Sequence, residues 1–321
     1  MPTKAREKLI RTCSIWRALE VLGDTATLLI LESLWLGADR FDQIRERTGL
    51  LKALLSDRLK RLIAAEVVKK VPVEGTTNRF RYRLAPKGLD LYWAALMMMR
   101  WDRRWASGEG KIDLVLRHET CGKTFEPEPS CADCGDLVSA RDIAWEQGPG
   151  VGWMQPTYSR RRQTRSLAAG RSAETALLDE AAQVTGDRWI GLILRSIFTG
   201  LRRFDEIRED TAIATNVLSE RLGWLAARGI VRPRPYSEAP VRYEYLLTEK
   251  GIDYYPILLM LLQWGDAHYV SPEGPPLLLR HKADGHPLKP VVTCSECGGE
   301  IDFRDVTFEV RAARKTARSA A

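Results

Sequence analysis

The chain has 321 residues, 45% hydrophobic and 28% charged, a length that suits two to four compact units. No apolar run approaches the ~20 residues a membrane span needs, so membrane partners are not expected. Forty-nine lysines and arginines stand against 42 acids, a net charge of +7 that favours a polyanionic partner without requiring one.

The opening residues include Glu7 and lead into amphipathic sequence instead of an apolar core with a cleavage site, which points to the cytoplasm. A short helix is expected over Cys13–Leu22, and a strongly apolar one over Thr25–Leu36, closed by Gly37. Phe41–Arg47 reads as a brief helix ending before Gly49. Leu51–Glu66 places apolar residues at 51, 55, 59 and 62, one face of a helix. Val67–Val73 and Arg79–Leu84 alternate around a turn at residues 74–78, as a hairpin does. Pro86 then opens a long helix running to about Trp105.

Beyond it, His118-x2-Cys121-x9-Cys131-x2-Cys134 offers four ligands in two close pairs. Thiolates with an imidazole suit a tetrahedral zinc ion, and four protein ligands would close its coordination sphere. A structural zinc is therefore expected, and catalysis is not. A basic, glycine- and proline-bearing linker follows over 148–170, with Arg160-Arg161-Arg162 inside it. The chain then repeats itself. A shift of 163 residues sets Gly23-Asp24 on Gly186-Asp187, Arg40-Phe41-Asp42 on Arg203-Phe204-Asp205, and Trp101 on Trp264 without a gap. A period this long marks duplicated domains. In the second copy Pro256 is expected to kink the last helix. The second cluster reads His281-x2-Asp284-x9-Cys294-x2-Cys297, with Asp284 in place of Cys121; either Asp284 or His286 would complete it, giving two zinc ions per chain. Arg311, Arg314, Lys315 and Arg318 form a basic tail.

Helix, short helix, turn, amphipathic helix and hairpin follow one another as in a winged helix-turn-helix. The expected class is therefore mainly α with small β, an α+β fold. Its organisation would be a first winged unit over 1–110, a zinc-binding extension over 111–147 and the linker over 148–170. A second winged unit over 171–270, a second extension over 271–310 and the tail over 311–321 complete it. The fourth helix would enter the major groove. The hairpin would meet phosphates through Arg79, Arg81 and Arg83, and through Arg232, Arg234 and Arg242 in the second copy.

The pattern Cys13-Ser14-Ile15, Leu22-Gly23-Asp24, Arg40-Phe41-Asp42 and Leu55-Ser56-Asp57-Arg58-Leu59, met again in the second half, resembles the HxlR-type winged helix-turn-helix regulators. The resemblance implies a bacterial repressor or activator of transcription that binds double-stranded DNA. It assigns DNA contact to Lys52, Ala53, Ser56 and Arg58, and to Thr215, Asn216, Ser219 and Arg221. It also implies pairing through first and last helices. Here the tethered second copy would supply that pairing as a pseudo-dimer within a mostly monomeric chain. The copies differ where bases would be read: asparagine pairs with adenine and lysine reaches guanine, whereas alanine offers a methyl group. Arg188-Trp189 is replaced by Thr25-Ala26 in the first copy, which demands repacking or leaves a void. Cys13, outside the clusters, reads either as a redox-sensing thiol or, by preference, as a small buried hydrophobe. A small-molecule or redox effector is a further expected partner. The competing reading is a protein-interaction or ligand-sensing module in which one copy has lost DNA binding.

Overall fold

The computed structural model describes residues 9–76, 79–105, 113–155 and 179–311. The arginine run of the linker and the tail past residue 311 lie outside them. The chain opens with strand β1 (Ile10–Arg11) and helix α1 (Ser14–Leu22). Helix α2 (Thr25–Trp35) follows, and Gly37 leaves it in the left-handed region at φ 86°. Next come α3 (Phe41–Thr48), α4 (Lys52–Ala64) and a hairpin of β2 (Val68–Pro72) and β3 (Phe80–Leu84). The one long helix expected after Pro86 is in fact two, a single turn α5 (Pro86–Leu89) and then α6 (Tyr92–Trp105). The interruption lets Gly88 press on the start of the hairpin, where a Cβ would lie 2.2 Å from the Val67 carbonyl oxygen. Strands β4 (Asp113–His118), β5 (Lys123–Thr124), β6 (Pro127–Cys131) and β7 (Ile143–Gln147) lie in the extension, and β8 (Trp153–Met154), in the linker, pairs with β1.

The second copy repeats this order with α7 (Asp179–Thr185), α8 (Arg188–Phe198), α9 (Phe204–Thr211) and α10 (Thr215–Ala227). Its hairpin is β9 (Val231–Glu238) with β10 (Val241–Leu247), followed by α11 (Glu249–Ile252) and α12 (Tyr255–Tyr269). Strands β11 (Leu277–His281), β12 (Pro290–Cys294) and β13 (Val306–Arg311) end the described chain. Pro256 does not kink a helix as expected. It sits in the first turn of α12, where a missing N–H costs nothing.

The compact units do not follow the repeat. Among the described residues one unit gathers 9–20, 138–155 and 187–288, and the other gathers 21–76, 79–105, 113–137, 179–186 and 289–311. The expected boundaries at 110, 147, 170 and 270 thus delimit the duplicated sequence, while each folded unit interleaves both copies.

In the first unit α1 belongs to the winged fold of the second copy. Trp16 lies 5.4 Å from Trp189 between ring centroids, and Ser14 donates to Asp266. Arg17 donates to the Tyr269 carbonyl at 2.6 Å. Gly265 lets α12 approach so closely that a Cβ would lie 2.2 Å from the Ser14 oxygen. Ile15, Trp16, Ala18 and Leu19 are all buried, and burying each large one contributes roughly 1.5–3 kcal/mol. Strand β11 pairs with β7, His281 opposite Ile143.

In the second unit the roles reverse. Helix α7 of the second copy packs on the first: the Ala181 N–H donates to Asp102 at 2.9 Å and Thr185 approaches the Met98 sulfur at 3.6 Å. Where Arg-Trp is replaced by Thr25-Ala26, the Thr25 hydroxyl donates to the Ala182 carbonyl of this helix at 3.3 Å. Helix α7 comes close enough that a Cβ on Gly186 would meet Thr25 Oγ1 at 2.5 Å. Met97, Met98 and Met99 are buried core. Strand β4 pairs with β13, His118 opposite Val306. Strand β6 pairs with β12 so that Pro129 faces Val292, and those two positions are equivalents in the repeat.

Candidate nucleic-acid interface and metal centre

Each amphipathic helix turns its apolar stripe inward and leaves its N-terminal turn in solvent. In α4, Leu55, Leu59 and Leu62 are buried while Lys52 and Ala53 are exposed and Ser56 is half-buried. In α10, Leu218, Leu222 and Leu225 are buried while Thr215, Asn216 and Ser219 are exposed. Neither helix has a side-chain N-cap, so its first N–H groups and the positive end of its dipole are not covered by a cap of its own.

Arg58 and Arg221 do not join that exposed set. Arg58 is buried and gives Nε to Asp24 at 2.8 Å and Nη1 to Asp57 at 2.5 Å. Arg221 is ion-paired through Nε with Asp187 and through Nη1 with Glu220 at 3.0 Å. Each aspartate divides its two oxygens. Asp24 Oδ1 caps α2 by accepting from the N–H of Ala26 at 2.9 Å and Thr27 at 3.3 Å, while Oδ2 holds Arg58. Asp187 does the same for α8, accepting from the Trp189 N–H at 3.0 Å. The DNA contact expected of these arginines is therefore corrected: their guanidinium groups are committed inside the fold, where they lock α4 and α10 onto α2 and α8. The recurrence of Gly-Asp 34 residues before each arginine carried that signal.

The hairpins are basic at the surface. Arg79 and Arg242 are exposed, whereas Arg81 reaches Asp39 at 2.8 Å and Arg234 reaches Glu244 at 2.7 Å. Lys69 and Lys70 on β2 are also exposed and were not singled out from sequence. The Lys70 ammonium lies 3.7 Å from the Phe80 ring centroid. Two adjacent lysines within the hairpin's first strand were the available clue.

The metal-ligand pairing differs from the one read along the chain. His118 and Cys121 do not face Cys131 and Cys134. In the second unit they face Cys294 and Cys297, and all four donor atoms lie within 4.8 Å of one another. His118 Nδ1 is 3.6 Å from the Cys121 sulfur and 3.3 Å from that of Cys297, and the Cys121 and Cys294 sulfurs are 4.0 Å apart. A tetrahedral ion with bonds of ~2.1–2.3 Å separates its ligand atoms by about 3.4–3.8 Å, so this donor set fits zinc. The physical reason is strand pairing. His118 ends β4 and Cys294 ends β12, and both strands are paired across the repeat. The turns are tight: Gly122 and Gly298 adopt φ of 68° and 70° and return their N–H groups to the His118 and Cys294 carbonyls at 2.8 Å. A backbone N–H from Gly299 holds the Cys297 thiol below its ordinary pKa, and burial pushes that of Cys294 up.

Cys131 ends β6, is buried, and makes the same turn through Gly135. In the first unit His281 stacks on His286 at 4.1 Å, and Asp284 accepts from His286 Nδ1 at 2.6 Å. Cys13 is buried beside the Arg195 guanidinium. Burial opposes that charge, yet Cys13 and Asp210 together raise the arginine's pKa above its ordinary value.

The HxlR-like helix-turn-helix family matches this chain twice, over residues 21–109 and 184–273. An uncharacterized HTH-type transcriptional regulator of Mycobacterium tuberculosis is 43% identical over 129 residues, 40% of this chain and 82% of the relative. The HTH-type transcriptional regulator YodB of Bacillus subtilis is 36% identical over 90 residues, 28% of this chain and 80% of its own length. The crystal structure of diamide-treated YodB matches at 34% identity and a TM-score of 0.25, covering 30% of this chain and 94% of that one.

Proposed function

Because this chain belongs to the HxlR-like helix-turn-helix family of transcription regulators, we propose that it represses transcription by reading double-stranded DNA with two non-identical recognition helices. The carrying observation is the exposed first turn of each helix, Lys52 and Ala53 in α4 against Thr215 and Asn216 in α10. Lysine and asparagine favour guanine and adenine respectively, so the half-sites should differ. Exposed Arg79, Lys69, Lys70 and Arg242 would hold the flanking phosphates. No helix among the described residues is long and apolar enough to cross a membrane, and a cytoplasmic DNA-bound protein is the reading we adopt. Zinc, two ions per chain, would be structural, one of them at His118, Cys121, Cys294 and Cys297.

Footprinting and gel shifts on the chain's own upstream region test this. If about 6–10 phosphates are neutralised, affinity should fall ~10³–10⁵-fold between 50 and 200 mM salt. Asn216→Ala should relax base preference at one position, and Lys52→Ala at another. Binding unaffected by Lys52→Ala and other α4 changes would instead favour the second reading, in which the first copy has left DNA. Exposed Ala53 in place of the asparagine is the observation that keeps that reading in play.

A further inference from the structure

Within the first unit lies a small, partly open pocket with room for water-sized molecules over about 50 Å³. Its wall is apolar and aromatic, with Trp145, Phe198, Tyr255, Leu258 and Leu279, and it has one charged liner, Arg195. Arg195 is only 5% exposed, and its Nε has no hydrogen-bond partner. A buried guanidinium N–H left in this state is costly and normally finds an acceptor.

The charge around it is unbalanced. Arg11 Nε lies 2.8 Å from Asp210 Oδ1, and Arg195 is ion-paired with the other oxygen of the same carboxylate. Ser196 also donates to that second oxygen at 2.5 Å. Two guanidinium groups thus share one carboxylate. The strain is visible on Arg11, whose pKa is lowered by burial and then by repulsion from Arg195. Arg11 also stands 5.8 Å from the ring centroid of Trp145, a pocket wall. The Tyr255 hydroxyl is kept protonated by burial, which pushes its pKa up, so it remains a neutral donor.

We propose that this cavity is a binding site for a small aromatic carboxylate, with the ring among Trp145, Phe198 and Tyr255 and the carboxylate accepting from Arg195. An anion there would supply the missing acceptor and neutralise the surplus cation at once, the combination in which charge-assisted bonds are strongest. The repeat places Glu32 at the position of Arg195 and Arg47 at that of Asp210. The first copy therefore reverses the charge, and one ligand per chain is expected, not two. The proposal gives chemical class and place to the effector of a regulator. Its binding test uses DNA-free protein and stands apart from the DNA reading.

Calorimetric titration of the full zinc-loaded chain with benzoate, and with benzyl alcohol as the uncharged isostere, decides the matter. Benzoate should bind one per chain, and benzyl alcohol about tenfold or more weakly. Leu279→Trp, which fills the cavity from a strand and leaves the arginines alone, should abolish benzoate binding. Arg195→Gln, if folded by circular dichroism, should erase the preference for the anion. Equal affinity for the two probes, two benzoates per chain, or benzoate binding that survives Leu279→Trp would each overturn the assignment. So would an absence of benzoate binding.

Discussion

Asp24 and Asp187 each do two jobs with two oxygens, and that doubling makes their loss expensive. The Asp187 side chain is 5% exposed, against 31% for Asp24. Asp187→Ala removes a helix cap and takes one of its carboxylates from a largely buried guanidinium, which should cost about 1–3 kcal/mol. Asp24→Ala should cost less because water can reach its site. Thermal melts of the two variants give the comparison, and equal losses would show that the greater exposure of Asp24 does not soften its removal. Arg221→Ala should likewise appear as a lowered Tm and not as a uniform loss of phosphate affinity. The sequence showed that Asp and Arg recur in step. It did not show that they touch, because a surface arginine on a recognition helix and a buried one have the same local pattern.

The helices and hairpins were legible from periodicity, and α2, α3 and α4 begin and end within a residue or two of expectation. The break between α5 and α6 was not, because neither Asp90 nor Leu91 is a helix breaker. The cause is tertiary: Gly88 and Gly251 must each admit a carbonyl oxygen from the residue that opens the hairpin. A Cβ on Gly251 would sit 2.2 Å from the Ile230 oxygen. Gly251→Ala should therefore destabilise by about 1–3 kcal/mol through overpacking. Gly223, exposed in the middle of α10 with nothing within 4 Å of an added Cβ, supplies the opposite case. Gly223→Ala should stabilise by about 0.5–1 kcal/mol. Denaturant titration of the pair separates a glycine needed for space from one that is merely tolerated.

At the scale of the molecule the ligand types and turns of the metal centre were readable, and their pairing was not. Duplication makes closure within a copy and closure between copies locally identical, so spacing alone cannot choose. Strand partnership chooses, and it joins residues 173 positions apart at Cys121 and Cys294. Cys121→Ser and Cys294→Ser should each lose one zinc by elemental analysis, and the double variant should lose no more than one. A double variant that lost two would place the cysteines in separate centres. Because such a site is coupled to folding, chelation should lower Tm as well. Light scattering should find a monomer, since the tethered copy supplies at about millimolar effective concentration the contacts a second chain would offer.

The exchange of α1 also sets the timing of folding on the ribosome. Helix α1 emerges with the first two dozen residues, yet the surfaces it covers lie on α8 and α12, ending at Tyr269. Strand β4 must wait in its turn for β13, which ends at Arg311. At about 5–20 residues per second, roughly ten seconds or more of synthesis separate these segments from their partners. During that interval Ile15, Trp16 and Leu19 have no native cover. A nascent chain stalled midway should accordingly be protease-sensitive and bound by trigger-type chaperones, unlike a tandem protein whose first domain closes before its second is made.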